Sequence, residues 1–116
     1  MRRGEVWLAR LGPEGEAADA QATQPVVVVS NDGASSAAER LGRGVVTVVP
    51  VAESSKAVFP FQVYLPRADT GLRHNSKARA EQVGSIDVRR LERLVGVVPA
   101  GLMQQLDTAL RLHLGL

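Results

Sequence analysis

The stretch ATQPVVVVSND, Ala22–Asp32, decides the fold. Four successive valines follow a proline and run into the turn-forming Ser30, Asn31 and Asp32. A short, continuously apolar run bounded in this way reads as a strand, Pro25–Ser30, covered on both faces and set in the middle of a sheet. Upstream, GEVWLARL alternates, with Val6 and Leu8 on one face and Trp7 and Ala9 on the other. That is the pattern of a neighbouring strand, and it places Trp7 in the core. The segment Gly12–Gln24 joins the two. It carries two glycines, a proline and three acids with no apolar period, so it is expected to be a long surface loop.

Downstream, NDGASSAAERLGRG opens with turn residues and is expected to hold one helical turn around Ser36–Leu41. Val45–Val51 reads as a third strand, with Pro50 marking an edge or a bulge. After the loop AESSKAVFP, Phe61–Leu65 reads as a fourth strand. PRADTGLRHNS is a polar turn region, and Ala78–Gln82 and Gly84–Asp87 are two strand segments meeting at a bend. DVRRLERL fits a short helix capped by Asp87, and Val95–Val98 one more strand. The clearest helix is PAGLMQQLDTALRLHLGL. Leu102, Leu106, Ala109 and His113 share one stripe, Met103, Leu106, Leu110 and Leu114 the next, and Gly115 stops it. His113 is expected to pack. The fold class is therefore mainly β with a C-terminal helix: a twisted antiparallel sheet, or a partly closed SH3-like barrel, with the helix laid on it.

A length of 116 residues sets a single domain, 1–116, as the expectation. There is no cysteine, which excludes disulfides, thiolate zinc sites and a thiol nucleophile. The N-terminal segment lacks the apolar run of a secretion signal, and no apolar run approaches membrane-spanning length, so a cytoplasmic protein without membrane contact is expected. All but two of the fourteen basic residues, Lys56 and Lys77, are arginine. The guanidinium fork suits phosphate, although a GC-rich genome produces the same bias. No His/Asp/Glu group has metal-ligand spacing and no glycine-rich phosphate loop is present, so no metal or cofactor is expected.

Taken in order, RRGEVWLARLGP, QPVVVVSND, VVTVVPVAESS, FPFQVYLP, TGL with NSKARAEQV, SIDVRRLERLVGVV and LMQQLDTALRLHLGL resemble the MazF/PemK/Kid family of toxin endoribonucleases over nearly the whole chain. The resemblance implies a CcdB/PemK-like fold and a homodimer. It implies metal-free cleavage of single-stranded RNA in a groove across both subunits, and a cognate antitoxin that blocks the groove. Such cleavage uses the RNA's own 2′-OH. It needs a base for that proton, an acid for the leaving 5′ oxygen and a donor set for the phosphorane oxygens.

The family's catalytic arginine maps by the resemblance onto Gln24, and its catalytic threonine onto Ala52, with Ser54 or Ser55 as replacements from the next turn. A basic residue common before Ser-Ile in the family is Gly84 here. In contrast, Arg79 and Glu81 match an Arg-x-Asp pair of the Kid branch, a phosphate holder and an acid/base, and on a strand they project to one face. Glu16 lies near an acidic loop residue of the family. Asn31, Asn75 and Gln82 are candidates for RNA contact, and Arg73 and Lys77 for phosphate contact. His74, in the same turn, has the chemistry of an acid or base near neutral pH, or of a solvated loop residue. Two other functions share the expected fold: a non-catalytic member that binds RNA or antitoxin, and a gyrase poison.

Overall fold

The computed structural model describes residues 1–10, 23–53 and 56–116. The valine run forms β2 (Thr23–Val28), with β1 (Glu5–Arg10) antiparallel on one side and β3 (Val45–Ala52) on the other. Val26, Val27 and Val28 are all fully buried, as a strand covered on both faces requires. The odd residue faces one core and the even residues the other. Val27 packs with Val6, Val49, Val51 and Val63 beneath Met103, Leu106 and Ala109 of α3 (Ala100–Leu114). Val26 and Val28 pack with Ala9, Val46, Val48 and with Ala38 of α1 (Asp32–Leu41); Trp7, Ile86 and Leu91 lie against that cluster.

Four further strands complete the sheet: β4 (Gln62–Leu65), β5 (Ser76–Arg79), β6 (Gly84–Asp87) and β7 (Leu91–Val97). Its order is β4-β5-β3-β2-β1-β7, with every pairing antiparallel. β6 branches from it by pairing with the first half of β3. The sheet is open, so the twisted-sheet form of the expectation holds and the barrel does not close. Pro50 lies on an interior strand. It falls where β3 exchanges β6, paired through Val48, for β5, paired from Val51, and such an irregular point tolerates proline inside a sheet.

Local chemistry fixes most boundaries. α1 runs ten residues, longer than the expected turn, because both ends are capped: Asn31 Oδ1 accepts from Ala34 N at 2.8 Å, and Gly42 adopts φ +66°. A short helix, α2 (Arg67–Thr70), lies inside the expected turn region. The strand expected over Ala78–Gln82 ends at Arg79, and Ala80–Gln82 form a 3-10 turn.

Two expectations fail. DVRRLERL is not a helix: Val88–Arg90 make one 3-10 turn and Leu91 opens β7. Asp87 still caps, accepting from Arg89 N at 2.9 Å, but β1 needs an outer partner, and that long-range pairing overrides the local period. His113 is exposed and does not pack: the whole last turn of α3 is solvent-facing, with Leu112 and Leu114 exposed beside it. Trp7 is half-buried rather than fully enclosed, and its indole N–H donates to Glu5.

One close approach holds the turn after α2 against β7. A Cβ on Gly96 would lie 1.9 Å from the Thr70 carbonyl oxygen, and Gly71 stands beside it at φ +80°. No other residue fits position 96.

Candidate active site on the half-open sheet face

The face that carries Val26 and Val28 is covered by α1 at one end and half-open at the other. Register places the site residues there. Val26 is opposite Pro50, so two residues further on Gln24 is opposite Ala52. Ala52 is opposite Lys77, and Lys77 is opposite Tyr64. One row therefore crosses four strands: Gln24, Ala52, Lys77, Tyr64. In the next row Arg79 is opposite Gln62. Side chains two apart on a strand share a face, so Arg79 joins this surface.

Glu81 reaches the same place by another route. It sits in the 3-10 turn, not on the strand, and its Oε2 accepts from Gln62 Nε2 at 2.7 Å. Gln62 thus joins Glu81 to the row that holds Arg79. No ion pair links Arg79 to Glu81. Instead Arg79 Nε and Glu81 Oε1 are both buried without a hydrogen-bond partner. Each such atom costs about 1–3 kcal/mol until a partner arrives, and more where the group is charged. The arrangement leaves one charged donor and one carboxylate acceptor beneath this surface with hydrogen-bonding capacity unused.

The other expected residues divide. Gln24 is half-buried and its amide N–H donates to Val51 O at 3.2 Å, so it is turned onto β3. Ala52 presents only a methyl group beside it. Three polar residues expected at RNA are engaged with the protein's own backbone. Asn31 caps α1; Asn75 Oδ1 accepts from Arg67 N at 3.0 Å; Lys77 Nζ donates to Lys56 O and Ala57 O at 3.0 and 3.1 Å. Gln82 is exposed, and Gly84 opens β6 with room for a side chain. Glu16 and Ser54, with Ser55, lie outside the described residues.

Arg73 does not join Arg79. It lines a cleft of about 590 Å³ on the opposite face of β2, with Thr23, Pro25, Glu53 and Arg93. His74 Nε2 lies 3.8 Å from Glu53 Oε2, on the side of Glu53, not Glu81. Gln62 is the residue of this cluster that sequence reasoning missed. Its signal was present: in QVYL the polar positions 62 and 64 alternate with buried Val63 and Leu65.

Comparison with known proteins agrees with this fold. Residues 2–114 match the family model described as PemK-like, MazF-like toxin of type II toxin–antitoxin system. The chain is 52% identical over 116 residues to a protein named endoribonuclease MazF9 of Mycobacterium tuberculosis, covering 100% of this chain and 98% of that one. Among solved structures, a mycobacterial endoribonuclease in complex with its cognate antitoxin superposes with a TM-score of 0.77 at 22% identity, covering 100% of this chain and 96% of that one. A MazF from a Deinococcus radiodurans MazE–MazF complex gives 0.69 at 26% identity, over 100% and 97%. A family match spanning nearly every residue, on a sheet whose half-open face gathers a cation, a carboxylate and an amide, settles the kinship: the chain belongs to the PemK-like, MazF-like toxins of type II toxin–antitoxin systems.

Proposed function

We propose that this chain, acting as one toxin domain over 1–116, is an endoribonuclease that cuts single-stranded RNA at a short sequence, without a metal, through the RNA's own 2′-OH. The observation that carries the reading is the pair of buried, unpartnered atoms, Arg79 Nε and Glu81 Oε1. Glu81 takes the 2′ proton. The 2′ oxygen attacks phosphorus, and Arg79 holds the phosphorane oxygens by charge-assisted hydrogen bonds. The bond to the 5′ oxygen breaks, and that oxygen takes a proton from solvent. The products are a 2′,3′-cyclic phosphate and a 5′-OH. Gln62 keeps the carboxylate in place by donating to its other oxygen.

The partners follow from the family. The toxin works as a homodimer in the cytoplasm, and a cognate antitoxin covers the RNA-binding face. Relatives solved with an antitoxin support this part of the reading. No helix among the described residues is long and apolar enough to cross a membrane.

A second reading has its own observation. Gln24 spends an N–H on Val51 O, and Ala52 offers no hydroxyl, which favours slow cleavage or a member that binds RNA or antitoxin without cutting. One experiment separates the two: incubation of purified protein with a long single-stranded RNA in EDTA, followed by mapping of new 5′ ends. Discrete 5′-OH ends are expected, and Arg79→Ala and Glu81→Gln are each expected to slow their appearance about 10²- to 10³-fold. Variants that cut as fast as the parent would show that the pair is not the site.

A further inference from the structure

The chain has four aromatic residues, and three of them, Phe59, Phe61 and Tyr64, fall within six residues of sequence around Gln62 of the candidate site. A small protein short of aromatics ordinarily encloses them. Here Phe59 keeps 52% of its surface exposed. Its ring lies nearly parallel to that of half-buried Phe61, with centroids 5.5 Å apart and planes 10° apart. Phe59 is thus the outer member of an offset stack, and its exposed surface is where a further ring would continue it.

The stack is held in place. Phe59-Pro60-Phe61-Gln62 is a β-turn with proline at its second position, closed by Gln62 N donating to Phe59 O at 2.8 Å. Phe59 N donates in return to Gln62 Oε1 at 3.2 Å. Upstream, Lys77 Nζ binds the carbonyls of Lys56 and Ala57, and Ala57 is held at φ +39°, where alanine is seldom found. An exposed ring fixed by its own backbone loses little entropy when it binds.

Its location gives it an occupant. The Gln62 amide that fixes Phe59 through Oε1 fixes Glu81 through Nε2. A ribose that meets Glu81 therefore has its base, or its neighbour's base, beside the Phe59 ring. We infer that Phe59 is a stacking platform for one RNA base adjoining the bond that is cut, and that it helps to select the site of cutting. The inference rests on the RNA-cleaving reading above. The ring accepts any base through its face, so it contributes affinity and register rather than base identity.

The test uses an oligoribonucleotide spanning a cleavage site mapped with this protein, with 2′-deoxyribose at the scissile position so that it binds without being cut. Binding is read by fluorescence anisotropy. Phe59→Ala is expected to weaken binding about 5- to 100-fold, the range for loss of one stacked base, and Phe59→Trp to preserve it. Replacing one base beside the scissile bond by an abasic ribose is expected to cost the parent a similar factor and Phe59→Ala nothing further. The inference is overturned if Phe59→Ala binds like the parent. It is also overturned if the variant's loss is the same on every abasic oligonucleotide, because the loop's shape or a protein partner would then be what Phe59 serves. Cleavage by Arg79→Ala and Glu81→Gln reports on the catalytic reading separately. If those variants cut normally while the Phe59 coupling holds, the pair falls and the platform stands. A parent that binds no RNA removes both.

Discussion

Gln24→Arg should make this protein a faster nuclease. The side chain sits one strand from Ala52 and two from Lys77 in a single row, on the face that carries Arg79. In the parent its amide N–H is committed to Val51 O, an uncharged bond worth about 1 kcal/mol net. A charged donor aimed at a developing phosphorane is worth about 3–4 kcal/mol. After subtracting the lost bond, about 2–3 kcal/mol remains, or about 30- to 150-fold in the rate of the chemical step. Adding Ala52→Thr restores a hydroxyl directly opposite and should give up to about tenfold more, one further neutral hydrogen bond. The assay is single-turnover cleavage of a long single-stranded RNA in EDTA, with thermal melting of each variant as the control for folding. The arginine should also steepen the salt dependence of RNA binding, by about 0.7 in the log–log slope for one added phosphate contact. If the parent already cuts as fast as the double variant, and both melt alike, Gln24 and Ala52 are not deficits and the reasoning is wrong.

Three other outcomes are expected. Gly96→Ala puts a methyl group 1.9 Å from the Thr70 carbonyl oxygen, a backbone atom that cannot swing aside, so β7 or the turn after α2 must move. The loss should lie at the upper end of the usual overpacking cost, about 3 kcal/mol, lowering the urea midpoint and the melting temperature, the latter by about 10–20 °C. Lys77→Met releases the loop carbonyls of Lys56 and Ala57 while leaving melting within about 1 kcal/mol. RNA affinity should fall with the salt slope unchanged, whereas a slope reduced by about 0.7 would mark Lys77 as a phosphate contact instead. Asp87 is held at a pKa of about 2 by hydrogen bonds from the Arg89 side chain and backbone, below the ordinary 3.8. Its contribution to stability is therefore fully present above the ordinary value and is lost as pH falls toward about 2. Asp87→Asn should be less stable than the parent near neutral pH and match it at the acid end, in urea melts across that range; a constant difference would show that the charge is not the cause.

The parts of the fold legible in the sequence are those fixed by short-range pattern. The valine run, the alternation of Val6 to Ala9 and the apolar stripes of α3 each carry their period within a few residues, and each folds accordingly. DVRRLERL misleads because its leucines suit a period of 3.6 as well as a strand, and only β1, some eighty residues earlier, decides between them. The site shows the same limit. Arg79 and Glu81 do meet one surface, but through a turn and Gln62 rather than along a strand. Asn31, Asn75 and Lys77 look like ligand contacts in the sequence because a polar side chain that satisfies a backbone group has the same letter as one that meets RNA.

The position of the unsatisfied atoms then bears on which residue the chemistry follows. Neighbouring strands lie about 4.8 Å apart, so β2 and β5, with β3 between them, are separated by about 10 Å. Gln24 on β2 and Arg79 on β5 therefore stand in adjacent rows of one face, on strands that are not neighbours. In this chain the β2 position is neutral and already bonded, and the β5 position is charged, with a buried N–H that has no partner. A buried guanidinium N–H left without a partner is costly in the free protein, and that cost is recovered only when an anion arrives. An amide bonded to a carbonyl has no such debt. On the proposed reading, a phosphate arriving at this face relieves Arg79 and leaves Gln24 unchanged, so discrimination between free and RNA-bound states comes from β5 rather than from β2.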